Sequence, residues 1–487
     1  MSVRLEASLI VLASYLLLGT LLAIWTRRYL SPRWTAREYY VAGGRMGGFL
    51  AAMTYAATTY SAFMIVGLVG FSYFTGVGAA GFELSYFIAT MALLAWLARR
   101  VWRLSRSRRW VTPSGMLADI YGSRSLGAFI TALYLVALIP YAAGQLKGIG
   151  EALAGLAPRG HSPTYYEAGV ILALVVMLAW SLVAGMWSVA VTDALQGLLM
   201  IAAAAGLLGW VYAKVVPVAG WAAITRALSS EGLLSLEPHW PAARFVAFVT
   251  PWVFFAVTNP QVVQRLYVAR DEGALRLMVR GFGFFGILYT ILVILAGLLT
   301  RAGAALGLIP VEPGGIDEVT PSLMELMHPA LAAIVFTSIV AAAVSTADSI
   351  LLTIAGTSER DLVPGRESPL RGLAAAIIVA IAMAAVAWLR VSYIVALAVT
   401  SSVLLLPLAP PTIASLATGR RLPSWVAWGS LLAGTAVNAA FIVVGGPKGP
   451  LAGSLHGIPA PLIVLLASSL PLVLPGALRG SPLEGGC

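Results

Sequence analysis

The chain of 487 residues has one cysteine, and it is the last residue, Cys487. No disulfide framework and no cysteine metal site can form within it. Charge is scarce too: Asp, Glu, Lys and Arg make up 10% of residues, against 60% hydrophobic and a mean hydropathy of +0.89. A soluble protein of that composition would expose far too much apolar surface, so the chain reads as an all-α polytopic membrane protein embedded in a lipid bilayer. It lacks a Gly-rich phosphate loop joined to a strand, which leaves ATP-driven transport without an engine and implies no ATP-binding partner. Histidine is rare. His161, His239, His328 and His456 fall in or beside loops expected outside, so no pair faces each other at depth as a haem or copper centre needs. No catalytic pair or metal cluster is evident within the spans, so an enzyme is not expected.

What the chain has in abundance is long apolar runs. A window of about 20 residues yields thirteen expected spans, at 6–25, 46–72, 79–98, 125–154, 165–185, 188–213, 243–264, 279–302, 326–356, 371–389, 391–417, 423–445 and 458–476. The first lacks a small-residue cleavage site and reads as a retained helix. Net charge is +11, but the arginines cluster in short loops and act as topology signals, with no implication of nucleic acid. Those loops carry Arg27, Arg28, Arg33, Arg37 and Arg45, then Arg99 to Arg109, then Arg265, Arg270, Arg276 and Arg280, then Arg420 and Arg421. Thirteen crossings put all of them in the cytoplasm of a plasma-membrane protein, with the N-terminus outside and the C-terminus inside. The longest hydrophilic connection, 215–242, is expected outside with one short amphipathic helix.

Three polar stretches interrupt the apolar runs. In the ninth span, Ala342, Ser345, Thr346 and Ser349 share one helical face, with Asp348 at its edge. Hydroxyls beside small residues allow close backbone approach and offer hard oxygen ligands to a small cation. An acid at mid-bilayer costs roughly 2.5–3.5 kcal/mol on insertion scales, which makes Asp348 a functional candidate. In the second span, Tyr55 to Ala62 is small and hydroxylated, so it permits unwinding that would bare carbonyl oxygens. In the sixth span, Asp193 lies about 9 Å from the inner end and Asp348 about 12 Å, within the same half of the membrane. Plain helix packing is the alternative for the Ser/Thr patches, and the helix macrodipole the alternative for Asp193.

These motifs together resemble the sodium:solute symporter family, which includes sugar, proline, pantothenate, monocarboxylate and sialic acid carriers. The resemblance rests on Ala341-Ala342-Ala343-Val344-Ser345-Thr346 with Ser349, on Thr192-Asp193 with Gln196-Gly197, and on Ala56-Ala57 with Tyr60-Ser61-Ala62. Tyr40 with Gly43-Gly44-Arg45, and Asn259-Pro260-Gln261 with Gln264-Arg265, add to it. It covers about residues 35–420. It implies a leucine-transporter-type fold, with two inverted five-helix repeats whose first helices are broken near mid-membrane. The parts would be an extra N-terminal helix (1–30), repeats at 31–215 (spans two to six) and 216–420 (spans seven to eleven), and C-terminal helices with a short tail (421–487). The family's Na⁺ site falls on the carbonyls of Ala57, Tyr60 and Ala342 and the hydroxyls of Ser345 and Thr346. Some members have a second cation site, which falls on Asp193, Ser345, Asp348 and Ser349. This chain departs from them at Asp348, where they carry a hydroxyl. A second Na⁺, a proton or a paired acid all remain open there.

Phe63, Met64, Glu83, Gln145, Trp252 and Asn259 are the candidate solute contacts. Phe63 and Met64 stand where the family's sugar carriers are polar, which disfavours a hexose and leans toward an amino acid or small carboxylate. The expected function is Na⁺-coupled symport of a small solute by alternating access, with Na⁺ as coupling ion. The rivals are a proton-coupled symporter using Asp348 or Asp193, and a membrane solute sensor acting with a separate partner.

Overall fold

The computed structural model describes residues 3–26, 35–157, 162–183 and 185–483, and side chains for all of these but 181–183. Cys487, His161, Arg27, Arg28 and Arg33 lie outside the described residues. Backbone N–H and C=O groups find no water in hydrocarbon, so apolar runs close their hydrogen bonds internally as helices. Among the described residues, ten helices are long and apolar enough to cross a membrane. A bent pair, Gly48–Thr59 and Phe63–Thr75, turns by 51° at its break and makes an eleventh when taken as one span.

The other two expected spans are met by shorter apolar helices, Ala242–Val253 and Ala460–Val473, so full-length spanning helices number ten or eleven where thirteen were expected. The physical reason is interruption. The seventh span is divided at Phe254 and Asn259 into helices of 12, 4 and 6 residues. The thirteenth tightens into a 3₁₀ turn at Leu470-Pro471, where proline has no N–H to continue the ladder. The longest helix, Met186–Ser230, is broken at Gly220, where φ 71° is a left-handed conformation that glycine tolerates. Beyond it, 221–230 forms an amphipathic helical segment that buries Ile224 and Leu228 and exposes Trp221.

The basic loops meet at one end of the bundle. Arg106 donates to the carbonyls of Gly44 (3.0 Å) and Arg270 (2.9 Å), and Arg100 to that of Leu416 (2.5 Å). Arg421 pairs with Asp119, and Arg420–Arg421 forms a two-residue ladder with Ser481–Pro482. At the opposite end Arg4 donates to the Met327 carbonyl just before the ninth span, Pro329–Arg360. The two described ends of the chain thus lie at opposite ends of the bundle.

The ninth span is the hub, packing against the first, fourth, sixth and tenth helices. Of its most apolar window 83% is buried, against 28% for the first helix, whose outer face is left to lipid. Arg265 corrects the sequence-based view. Grouped above with the loop arginines, it is fully buried at the end of Pro260–Arg265, in the heart of the bundle.

Candidate cation and solute site

The break in the second span generates the site. A helix that ends at Thr59 leaves the carbonyls of its last turn without intrahelical donors, and each must be met some other way. Tyr60 N donates to Ala56 O at 2.8 Å, while Tyr60 itself is extended (φ −94°, ψ 121°). The Tyr141 hydroxyl donates to Thr59 O at 3.2 Å. The ninth span answers the remaining two. Ser345 Oγ lies 2.9 Å from both Ala57 O and Ala342 O, and Thr346 Oγ1 lies 3.3 Å from Ala57 O and 3.4 Å from Thr58 O. Two hydroxyls carry two protons, and three carbonyls converge on them. That is an oxygen-rich, proton-poor cluster, all neutral and all buried, of the kind a small hard cation satisfies better than a hydrogen bond does.

The second half of the broken helix is secured from its own side. Ala62 N donates to Gln145 Oε1 (3.3 Å), Phe63 N to Ser61 Oγ (3.1 Å) and Met64 N to Ser61 O (2.9 Å). The turns that follow, Phe63–Leu68, are π-helical. Of the expected cation residues, the structure brings Ala57, Ala342, Ser345 and Thr346 together and places Tyr60 at the break. The Tyr60 ring packs near-parallel to Phe282 and Phe285 of the eighth span, with centroids 5.7 and 5.9 Å away.

Of the four residues considered for a second cation, Ser345 serves the first cluster, Asp193 and Ser349 have partners of their own, and the Asp348 carboxyl has no hydrogen bond among the described residues. Asp193 Oδ2 accepts from Thr54 Oγ1 at 2.6 Å, well inside the helix and away from any N-terminal role. Ser349 Oγ accepts from Arg265 Nη2 at 2.5 Å and lies 2.8 Å from Thr58 Oγ1. Asp348 faces elsewhere, onto a cavity of about 20 Å³ bounded by Thr20, Trp180, Ser188 and Thr192. The first helix closes that cavity. No described hydrogen bond joins Asp348 to Asp193 or Ser349, and a guanidinium stands beside Ser349.

The expected solute contacts fall into two groups. Phe63 packs on Trp252 with centroids 4.9 Å apart, and Trp252 meets Phe82, Tyr86 and Phe255. Met64 is fully buried. Asn259 forms the break of the seventh span (φ −82°, ψ 113°), with Pro260 restarting the helix. Gln145, by contrast, spends its amide on the break, accepting from Ala62 N and donating to Tyr141 O at 3.0 Å. Both carboxylate oxygens of Glu83, the Asn259 Oδ1 and the Trp252 Nε1 are buried with no hydrogen-bond partner among the described residues. Buried polar groups are almost always paired, which makes these four atoms candidates for a solute contact, though unpaired polar atoms are also buried elsewhere in the bundle, at Thr131, Ser415 and Ser430 among others.

Sequence reasoning missed Tyr141, Thr58 and Thr54, and it misassigned Arg265. Tyr141 and Gln145 are four apart and therefore share a face, a signal available in the sequence. Gln261, Gln264 and Arg265 crowd polar groups into little more than one turn, which a solvated loop end does not require.

Known proteins share this architecture. The structure aligns with the substrate-bound, outward-open state of a Na⁺-coupled sialic acid symporter at TM-score 0.72, with 17% identity over 98% of this chain and all of that one. The uncharacterized symporter YhjB of Bacillus subtilis is 29% identical over 145 residues, which is 30% of this chain and 29% of the relative. The sodium/pantothenate symporter of Haemophilus influenzae is 29% identical over 335 residues, 67% of this chain and 66% of the relative. The model of the sodium:solute symporter family matches residues 39–407, three-quarters of the sequence and all of the site just described, and the chain belongs to that family.

Proposed function

We propose that the chain carries a small organic solute across the plasma membrane by alternating access, coupled to Na⁺ bound between the second and ninth spans. Family membership makes it a membrane symporter and not an enzyme. The observation that carries the reading is the convergence of Ser345 and Thr346 on the carbonyls of Ala57, Thr58 and Ala342. Oxygens about 2.3–2.6 Å from a cation, the range Ca²⁺ takes and Na⁺ of similar size would share, sit about 3 Å apart around it, close to the separations found here. On binding, the hydroxyls would rotate so that lone pairs face the ion. The bond network would then hold a helix break against a continuous helix, and an ion favouring that placement also favours the solute site beyond it.

The fold is read as two inverted five-helix repeats, spans two to six and seven to eleven, within thirteen crossings. The paired breaks at Tyr60 and Asn259 support this. The basic loops sharing one end, with the chain's described ends at opposite ends, support an outside N-terminus and a cytoplasmic C-terminus. The solute is read as an amino acid or small carboxylate. Phe63, Met64 and Trp252 offer a hexose little, at about 1–3 kcal/mol per hydroxyl left unpaired, whereas Glu83 calls for hydrogen-bond donors on the solute.

A second reading, proton coupling, draws on Asp348, whose buried Oδ1 has no partner. Uptake into liposomes of labelled proline, pantothenate, lactate and glucose separates the two. An imposed Na⁺ gradient at equal pH should drive accumulation. Accumulation under a pH gradient without Na⁺ would favour Asp348, and none under either would overturn both.

A further inference from the structure

At the end of the bundle read as outer, the seventh, fourth and eleventh spans and the connections at 386–393 and 447–459 line an open cavity of about 1080 Å³ that is mostly apolar, with Phe248 and Leu397 on its wall. Four basic residues line it, Lys147, Arg244, Arg390 and Lys448, and no acid does. Lys147 is already answered, by Asp317 at 2.5 Å and Glu151 at 3.5 Å, both off this wall. Arg244 makes no ion pair with an acid among the described residues, and Arg390 makes none within 4 Å, although Glu151, on an adjoining pocket that shares Lys147 and Tyr393 with this one, lies near enough to feel its charge. Each is held by a ring instead. The Arg244 guanidinium lies 5.1 Å from the Trp240 centroid and donates to His239 O at 2.9 Å, and that of Arg390 lies 3.6 Å from the Tyr166 centroid. Arg390 also has φ +48°, a left-handed backbone that residues with a Cβ adopt at a cost, so its placement is imposed by the loop. Aromatic faces fix a guanidinium without neutralising it, and low-dielectric walls focus its field.

We propose that this cavity gathers an organic anion, a carboxylate on a largely apolar body, before it passes inward to the buried site. The inference rests on the symport reading and narrows its solute. Glu83 lies deeper, with unpaired oxygens, so the solute presents hydrogen-bond donors at the end away from its carboxylate. The seat of the carboxylate is the pair Arg244 and Arg390.

Equilibrium binding to the full chain in phosphatidylcholine nanodiscs, in choline buffer without Na⁺, tests the cavity apart from coupling. The probes are pantothenate and its uncharged alcohol counterpart, pantothenol. Pantothenate is expected to bind at least about tenfold tighter at low ionic strength, with the advantage shrinking toward about 150 mM salt as the field is screened. The variant R244Q/R390Q should erase the preference, and R244K/R390K, which keeps both charges, should retain it and so controls for folding. Equal affinities, no binding of either probe, or a preference that survives R244Q/R390Q would overturn the proposal. Loss of pantothenate binding when phosphatidylglycerol is added would assign the site to a lipid headgroup and overturn it equally. Failed uptake with binding intact would instead count against the transport reading alone.

Discussion

At the scale of single residues, the site depends on groups whose partners are few and specific. Arg265 is fully buried and donates to Ser349 and to Gln261 O at 3.1 Å, with Asp193 nearby as its charge complement. Removing the guanidinium takes a donor from Ser349 Oγ and from Gln261 O, at about 1–3 kcal/mol for a buried group left unmet. Arg265→Gln is therefore expected to lower the melting temperature by several degrees. Arg265→Gln with Asp193→Asn should cost less than the two single changes summed. Additive losses would show that the two groups do not communicate.

Asp361 gives a pH-dependent case at the basic end. Burial pushes its carboxyl above the ordinary value, while hydrogen bonds from Thr112 and Ser114 pull the other way. A raised folded-state value means the folded protein holds the proton more firmly. The stability from that preference is complete below the ordinary value of 3.8 and fades as pH rises through the raised one. Asp361→Asn cannot ionise, so its melting temperature should gain on the wild type from acid toward neutral pH. A constant offset across that range would contradict this.

At the scale of elements, the helix breaks decide what the sequence discloses. The second-span break was legible because hydroxyls and small residues in an apolar run have few other uses, and the facing Ser345 and Thr346 were legible from i, i+3, i+4 spacing alone. The direction of Asp348 was not. Adjacent residues on a helix point about 100° apart, so whether 348 or 349 faces the site depends on where the first helix packs. Arg265 was misread because an arginine near the inner end of a span looks the same in sequence whether it turns outward or inward. Gln145 seemed a free pocket amide, since nothing in the sequence ties it to Ala62, 83 residues away. Phe63 and Trp252 stood out beside the breaks, but Phe82 and Tyr86, which complete the aromatic layer, were hidden, because rings at helical spacing pack as readily against lipid.

The break also leans on close packing. A Cβ on Gly286 would lie 2.3 Å from the Tyr60 hydroxyl and 2.7 Å from the Phe87 ring. Gly286→Ala is expected to cost about 1–3 kcal/mol by overpacking, seen in thermal melting. Tyr60→Phe in the same chain should recover part of it, and no recovery would mean the strain falls on Phe87 instead.

At the scale of the whole molecule, the proposed coupling would turn a local cluster into directed transport. A potential of 100 mV contributes about 2.3 kcal/mol per charge and a tenfold Na⁺ gradient about 1.4, so one ion sustains roughly 500-fold accumulation of a neutral solute. An anionic solute would forgo the electrical share when one Na⁺ enters with it, and its ceiling would fall to about tenfold. Accumulation of a carboxylate far beyond tenfold at such gradients would require a second coupling ion.

The central claim is that Na⁺ sits where the break in the second span meets Ser345 and Thr346. The most direct test is the Na⁺ dependence of uptake in liposomes by the wild type and Thr346→Ala at fixed pH. The account predicts that the half-saturating Na⁺ concentration rises about tenfold, a loss of about 1.4 kcal/mol of ion binding, while the maximal rate changes little. An unchanged half-saturation, or uptake that proceeds without Na⁺, would contradict it.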